Sequence, residues 1–180
     1  MLYTHNEIKE KYKSTYQIRK ALGNKEIFKI EKGIYSDKPG AHYLSVIMKK
    51  YPYGIIASHS AYYYYDFTDI IPRKIFLATN RNSTTINSKS IKQIRMTDDL
   101  YELGKTQIEY EGTLINIYDK ERMLIELARN KNQMGYDLYK EIVSNYRKIA
   151  NDLDIYKIEE YLGHFVNADK IFEIIQDEVF

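Results

Sequence analysis

Two helix starts lie ten residues apart near the beginning of the chain, and this spacing limits what the first residues can form. The segments Thr4-His5-Asn6-Glu7 and Ser14-Thr15-Tyr16-Gln17 both fit the capping-box pattern. In that pattern a hydroxyl side chain, and a Glu or Gln three residues later, bind backbone N–H groups that have no partner within the helix. Tyr3 and Ile8 occupy the positions of a hydrophobic staple across the first cap. We therefore expect two short helices joined by a tight corner.

The second of these helices, residues 14–22, has an apolar side and a polar side. Ile18, Ala21 and Leu22 follow the i, i+3, i+4 rule and should face a core. The residues that project away from that core are Tyr16, Gln17, Arg19 and Lys20. An Arg side chain can bind guanine through two hydrogen bonds, Gln can bind adenine in the same way, and Lys neutralises phosphate. We predict that this helix enters the major groove of double-stranded DNA.

A basic β-ribbon is predicted after the second helix. Gly23-Asn24 is expected to end the helix in a left-handed conformation. Residues 27–30 alternate between apolar and polar, residues 31–33 form a turn, and Ile34-Tyr35 resumes the ribbon. A hairpin that carries Lys29 and Lys32 has the composition of a DNA-contacting wing. The order of elements predicts a small winged helix-turn-helix over residues 1–38; the alternative is an ordinary helical hairpin with a solvated polar face.

The rest of the chain, residues 39–180, is expected to form a mixed α/β domain with a helical C-terminal tail, so the predicted fold class is α+β. A Pro39-Gly40 break separates the two domains. Glu111-Gly112 lies between two apolar alternating runs and predicts a β-hairpin there. The other predicted strands cover residues 54–57, 74–79 and 91–96, and the helices cover about 41–50, 58–66, 120–129, 136–150, 154–162 and 167–178.

Charge is divided unevenly along the sequence. Residues 1–96 contain 17 Lys and Arg against 7 Asp and Glu, whereas residues 97–180 contain 10 against 18. No acid occurs between Asp69 and Asp98, a stretch that contains six bases. Four of them are expected to extend the DNA-binding surface: Arg73, Lys74, Lys92 and Arg95. The alternative is a basic sheet face that the acidic C-terminal helices of the same molecule neutralise.

Composition excludes several classes of protein. The sequence has no cysteine, which excludes disulfides and thiolate metal sites. It has no apolar run of about 18 residues, so we expect no membrane span. The first residues lack a basic segment followed by an apolar one, so we expect no signal peptide and a cytoplasmic location.

The sequence contains no strong catalytic or metal-binding pattern. The four histidines lack metal-ligand spacing. Ser58-His59-Ser60 places hydroxyls beside an imidazole, but neighbours in sequence point apart on a helix, so a structural role is expected for His59. Asp154, in an Asp-x-Asp pair, is more typical of a helix N-cap than of a Mg²⁺ ligand. We expect no catalytic residue, no metal site and no cofactor.

Four short segments carry a resemblance to a known family. They are residues 28–35, ending in Gly-Ile-Tyr; 56–61, with a Ser-Ala helix start; 67–72, before a basic strand; and 117–124, with an Asp-x-Glu-Arg helix opening. In this order they resemble the AbiEi-like antitoxins of type IV (abortive infection, AbiE) toxin–antitoxin systems, over nearly the whole chain. The DNA-binding unit of that family usually has one more helix before the two predicted here. Met123 and Glu126 stand where Thr and Asp are usual.

The resemblance implies an antitoxin whose winged helix binds its own promoter as an autorepressor and whose C-terminal domain antagonises a nucleotidyltransferase-like toxin. Antagonism in these systems is thought not to need a stable complex. The family motif singles out Ser60, Asp119, Glu121 and Arg122. From the residues alone, Asp119 is a helix cap, Glu121 is a favourable first-turn charge and Arg122 forms a surface ion pair.

Two other functions stay open at this point. In the first, the protein is an interaction module whose acidic helices bind a partner toxin directly, without DNA binding. In the second, it is a divergent, metal-dependent enzyme that processes nucleic acid.

Overall fold

The computed structural model describes residues 1–180 and has an α+β fold with nine α-helices and two β-sheets. The mixed α+β class was predicted. The chain divides into two compact units: the first unit contains residues 1–54 and 109–115, and the second unit contains residues 55–108 and 116–180. The boundary predicted after residue 38 falls inside the first unit. None of the helices combines the length and the apolar composition that crossing a membrane requires.

The first unit consists of two helices, a three-stranded antiparallel sheet and a third helix. In chain order these are β1 Leu2–Thr4, α1 His5–Tyr12, α2 Thr15–Gly23, β2 Phe28–Glu31, β3 Ile34–Ser36 and α3 Tyr43–Lys50. The strand order in the sheet is β1-β3-β2. Helix α3 contacts β1 and β3, which explains why the unit extends past the break at residues 39 and 40.

Both predicted N-cap hydroxyls accept their hydrogen bonds, but only Thr4 and Glu7 form the complete capping box, because the Ser14 N–H donates to the Tyr12 carbonyl oxygen at 2.6 Å. The Thr4 hydroxyl accepts a hydrogen bond from the Glu7 N–H at 3.4 Å, and the Glu7 carboxylate accepts one from the Thr4 N–H at 2.6 Å. The Ser14 hydroxyl accepts a hydrogen bond from the Gln17 N–H at 3.2 Å. Each cap provides an acceptor for a backbone N–H that has none within the helix. Lys13, in the left-handed conformation with φ of 57°, makes the corner between α1 and α2.

The predicted left-handed end of α2 at Gly23-Asn24 is wrong. Asn24 has φ of −77°, and the left-handed residue is Lys25, with φ of 58°. The N–H groups of Lys25 and Glu26 donate to carbonyl oxygens in the last turn of α2, at 3.2 Å and 2.9 Å. The helix-ending turn therefore closes one residue later than the glycine suggested.

One hydrophobic cluster joins α1 and α2 to the sheet of the first unit. Its buried members are Ile8, Ile18, Ala21, Ile27 and Tyr35, and Tyr3, Tyr12 and Leu22 pack against it. The predicted inward face of α2 is therefore confirmed. Burial of each large aliphatic side chain contributes about 1.5–3 kcal/mol, so this cluster is the main source of stability for the α1–α2 pair.

The second unit is built on a five-stranded mixed sheet with strand order β6-β5-β4-β8-β7. Pairs β5–β6 and β4–β8 are parallel, and β4–β5 is antiparallel. The strands are β4 Ile55–Ile56, β5 Ile75–Asn80, β6 Ile91–Met96, β7 Lys105–Tyr110 and β8 Thr113–Tyr118. The helices are α4 Ser58–Tyr64, α5 Asp98–Glu102, α6 Lys120–Arg129, α7 Tyr136–Lys148, α8 Ile155–Leu162 and α9 Ala168–Glu178.

The predicted β7–β8 hairpin turns at Glu111 and Gly112, which have φ of 46° and 73°. Two successive residues with positive φ are typical of the tight turns that match strand twist. The tip of this hairpin, residues 109–115, belongs to the first unit. There Thr113 hydrogen-bonds Ser45 at 2.7 Å and His42 at 3.2 Å, and the Glu111 carboxylate lies 3.1 Å from the His42 ring.

Candidate nucleic-acid interface

Helix α2 presents a polar face directly opposite its buried one. Tyr16, Arg19 and Lys20 are spaced three and four residues apart, so they share one side of the helix. Ile18 and Ala21 are buried on the other side. All four residues predicted to read DNA from this helix, Tyr16, Gln17, Arg19 and Lys20, are exposed. Tyr16 keeps 76% of its surface accessible, which is unusual for an aromatic side chain.

The β2–β3 hairpin carries the two lysines predicted for a wing, and both are exposed. Lys29 pairs directly with Tyr35 in the antiparallel ladder. Because directly paired residues point to the same face of a sheet, Lys29 lies on the face that also carries Tyr35. Tyr35 belongs to the cluster with α1 and α2, so Lys29 is on the helix side of the sheet. Lys32 lies in the turn, next to Gly33 with φ of 85°.

The ion pairs of the first unit use cations other than those of α2 and the hairpin. Glu7 pairs with Lys49 and Glu31 with Lys50, both at 2.7 Å. Asp37 pairs with the N-terminal ammonium.

Eight of the eleven Lys and Arg side chains of the first unit form no ion pair, hydrogen bond or ring contact. Four of them are on α2 and the hairpin, namely Arg19, Lys20, Lys29 and Lys32, and the other four are Lys9, Lys13, Lys25 and Lys38. The unit as a whole carries eleven Lys and Arg against seven Asp and Glu. Half of the unpaired positive charge of the unit therefore lies on α2 and the hairpin, where a phosphate backbone could bind it.

The other four predicted DNA contacts belong to the second unit. Arg73, Lys74, Lys92 and Arg95 are all exposed. The Arg95 guanidinium, however, donates to the carbonyl oxygens of Arg81 and Ser83, at 2.7 Å and 2.8 Å, and to the Thr85 hydroxyl at 2.7 Å. Its hydrogen bonds therefore hold the loop over residues 81–85.

Ser60, from the family motif, is completely buried and ties α4 to β5. Its hydroxyl accepts a hydrogen bond from the Phe76 N–H at 2.9 Å and donates one to the Lys74 carbonyl oxygen at 3.4 Å. These two bonds satisfy the buried hydroxyl. Its role is structural.

Asp119 and Glu121 connect the start of α6 to α8. Asp119 caps α6 by accepting from the Arg122 N–H at 2.8 Å, as predicted, and it also accepts from the Tyr161 hydroxyl at 2.9 Å. The Lys157 ammonium lies 2.7 Å from the same carboxylate. Glu121 accepts a hydrogen bond from the Asp154 N–H at 3.2 Å.

The expectation of a surface ion pair for Arg122 is wrong, because this side chain is fully buried. Its guanidinium donates to the Glu126 carboxylate at 2.8 Å and to the carbonyl oxygens of Leu100 and Leu103 at 3.0 Å and 3.2 Å. The guanidinium carbon lies 4.9 Å and 4.8 Å from the ring centroids of Tyr118 and Phe165. The charged group is accommodated by hydrogen bonds and aromatic rings in the interior.

The Ser58 and His59 side chains meet, contrary to the expectation that they point apart. The Ser58 hydroxyl lies 3.0 Å from His59 Nδ1, and Ser58 has a left-handed φ of 51°. The His59 ring stacks on Phe76 with 4.9 Å between centroids. Burial, and to a lesser extent the nearby Lys92 charge, lower the pKa of His59 below its ordinary value. No group of three or more His, Asp or Glu side chains is placed to hold a metal ion.

No protein-family model and no curated protein matches the sequence. Among solved structures, the chain is similar to the crystal structure of the RV2827C protein from Mycobacterium tuberculosis. The two share 10% sequence identity with a TM-score of 0.66, over 99% of this chain and 72% of that chain. At this identity the likeness concerns the fold alone.

Proposed function

We propose that the first unit is a winged helix-turn-helix that binds double-stranded DNA, and that the protein is an AbiEi-type antitoxin that represses its own promoter. The observation that carries this proposal is the distribution of charge in the first unit. Carboxylates there pair with Lys49, Lys50 and the N-terminus, whereas Arg19 and Lys20 of α2 have no anionic partner. Cations without an anionic partner favour binding of a polyanion such as DNA.

The topology of the first unit supports the same proposal. Two helices precede a two-stranded ribbon, and strand β1 completes the sheet in the order β1-β3-β2. Helix α2 has nine residues, or roughly 13 Å, which suits a major groove about 12 Å wide. In this arrangement Arg19 and Gln17 read base edges, and Lys20 contacts phosphate. Lys29 and Lys32 of the ribbon hold the adjacent backbone.

The antitoxin part of the proposal rests on the family resemblance. Three of the four motif residues, Ser60, Asp119 and Arg122, are buried. We therefore assign them to holding the second unit together and not to touching a toxin. The toxin-directed surface lies elsewhere on the protein.

The DNA-binding proposal is tested by the salt dependence of binding to the promoter of the protein's own gene, measured by fluorescence anisotropy with the full chain. Loss of one phosphate contact in Lys32→Ala should lower the slope of log K against log salt concentration by about one unit. Lys170→Ala, which removes an exposed lysine from α9, should leave the slope unchanged. A wild-type slope for Lys32→Ala, or no binding by the intact protein, would contradict the proposal.

The antitoxin role is tested separately, by coexpression with the product of the neighbouring gene. We expect the protein to restore growth that a nucleotidyltransferase-like toxin inhibits. A stable complex with that product, combined with no retention of promoter DNA, would favour the interaction-module alternative.

A further inference from the structure

The second unit contains a cavity of about 360 Å³ that the DNA-binding proposal does not use. Residues of β5, β6, α4 and α6 line it, together with the segment that follows α6. Its size falls within the range of small-molecule sites, about 300–1,000 Å³, near the lower end. Every lining residue belongs to the second unit.

The apolar part of the cavity wall suits a flat ring. Three of the five methionines of the chain, Met96, Met123 and Met134, line the cavity beside Phe76. Thioether side chains are polarizable and adapt to irregular ligands, and they make favourable contacts with aromatic rings. The Gln133 side chain also lines the cavity, and its amide can both donate to and accept from the edge of a heterocyclic base.

The polar part of the wall is positively charged. Lys92 has no carboxylate partner, and its ammonium lies 5.1 Å from the centroid of the Phe76 ring. Arg95 and Arg129 also line the cavity. The Arg95 guanidinium is held by the loop over residues 81–85, so Arg129 is the second cation available to a ligand. Glu126 is the single carboxylate of the lining. Its oxygens are engaged by Arg122 at 2.8 Å, Asn130 at 3.1 Å and Arg129 at 3.6 Å. Because its charge is compensated from the protein side, the cavity favours an anion.

His59 adds a neutral hydrogen-bonding group. Burial, and then the Lys92 charge, lower the pKa of His59 below its ordinary value, which favours the neutral ring. When the Ser58 hydroxyl donates to Nδ1 across 3.0 Å, the proton of the neutral ring is on Nε2. That N–H has no partner in the protein and is free to donate to a ligand oxygen.

We propose that this cavity binds a nucleoside monophosphate. The base inserts among the methionines and Phe76, with Gln133 at its edge, and the phosphate binds Lys92 and Arg129. This lining complements three features of such a ligand together: its aromatic ring, its hydrogen-bonding edge and its anionic group. The inference does not depend on DNA binding by α2 and the hairpin, whose residues belong to the first unit. It assigns Lys92, one of the bases predicted to extend the DNA-binding surface, to the cavity instead.

The test uses the full chain labelled with ¹³C at the methionine methyl groups, titrated with AMP and followed by NMR. We expect the signals of Met96, Met123 and Met134 to shift saturably, with a Kd below about 1 mM. Met1 and Met48 lie in the first unit and should not shift. Adenosine and inorganic phosphate, titrated separately, should each bind at least about tenfold more weakly than AMP, a difference of about 1.4 kcal/mol.

Two variants and a matched control complete the test. Lys92→Gln should weaken AMP binding about tenfold or more, because it removes a contact to the phosphate. Gln133→Ala should weaken binding by a similar factor, because it removes the hydrogen bonds to the base. Lys89→Gln removes a lysine just before β6 that does not line the cavity, and it should change the Kd less than about twofold. The proposal is overturned by no shift at about 5 mM AMP, by equal affinity for AMP and inorganic phosphate, or by unchanged binding in both variants.

Discussion

Arg122 and Glu126 form an ion pair one helical turn apart, with 2.8 Å between Nη2 and Oε1, and the arginine side chain is completely buried. The Arg122 Nε atom is buried without a hydrogen-bond partner. Removing two charges from water is costly, and their attraction offsets that cost only while both are present. The pair therefore makes the interior of the second unit sensitive to loss of either member.

The first prediction concerns this pair. Arg122→Met should lower the free energy of unfolding by about 3 kcal/mol, because it removes the buried partner of the Glu126 carboxylate and leaves only Asn130 at 3.1 Å and the more distant, exposed Arg129 at 3.6 Å. The double variant Arg122→Met/Glu126→Leu should lose less than the single variant. Urea denaturation measures both, with exposed Lys170→Met as a control that should stay within about 0.5 kcal/mol of the wild type. A double variant as unstable as the single one would contradict the explanation that the buried Glu126 charge causes the loss.

The second prediction separates backbone strain from close packing at two glycines. Gly104 and Gly112 have similar positive φ, 75° and 73°. A Cβ added at Gly104 would lie 2.6 Å from the Arg122 Cβ, whereas at Gly112 nothing lies within 4 Å. Gly112→Ala should cost about 1–2 kcal/mol for the left-handed conformation alone. Gly104→Ala should cost a further 1–3 kcal/mol, roughly, for overpacking. If thermal unfolding shows that both variants lose the same free energy of unfolding, the Arg122 side chain moves aside to make room for the added Cβ.

The third prediction concerns the pH dependence of stability. A hydrogen bond from the Lys49 ammonium, followed by that from the Thr4 backbone, lowers the pKa of Glu7 from 4.5 to about 2. A carboxylate with a lowered pKa in the folded state contributes stability that is present above its unfolded pKa. This contribution is lost as the pH falls from about 4.5 to about 2.

Glu7→Gln should therefore flatten the fall of the unfolding free energy across that pH range. Because the Glu7 side chain is 45% exposed, high salt should reduce the difference from the wild type. Glu10→Gln, which alters an exposed and unpaired carboxylate of the same helix, should leave the pH profile unchanged. Identical profiles for the Glu7 variant and the wild type would refute the assignment.

The fourth prediction follows from the proposed DNA contact of α2. Arg19→Lys keeps the charge but loses the fork of donors that binds guanine through two hydrogen bonds. It should reduce discrimination between promoter DNA and a mutated site by about 1–3 kcal/mol while leaving the salt slope unchanged. Competition binding with both duplexes measures this effect, and Lys25→Arg, outside α2, serves as the control. If Arg19→Lys discriminates like the wild type, Arg19 does not read a base.

The local signals of the sequence were sufficient for many of the elements. Side-chain caps (hydroxyls for α1 and α2, the Asp119 carboxylate for α6) and the helical period predicted these three helices, and the Glu111-Gly112 turn predicted its hairpin. Strand β1 was not predicted, because its three residues become a strand by pairing with β3, from Leu2 with Ser36 onward. Helix α5, of five residues, is too short to show an apolar period. The order of the mixed sheet depends on long-range pairing that no local pattern encodes.

The candidate site was predictable to the extent that it depends on one helix face. The helical period of α2 correctly predicted that its cations are exposed. For Arg122, the residue type alone suggested a position on the surface. A signal against that view was present, since residues 123–125 and 127–128 of α6 are all apolar. A helix apolar on nearly every side is surrounded by protein, so a charge within it must also be enclosed. The Ser58–His59 contact depends on the left-handed φ of Ser58, which no side-chain pattern indicates.

The hairpin tip over residues 109–115 means that the first unit is encoded in two separate stretches of the gene. A fragment severed after residue 54 would lack Thr113 and Glu111, which bind His42 at the start of α3. Isolating the first unit with these contacts intact therefore requires that those seven residues be joined back through an engineered loop.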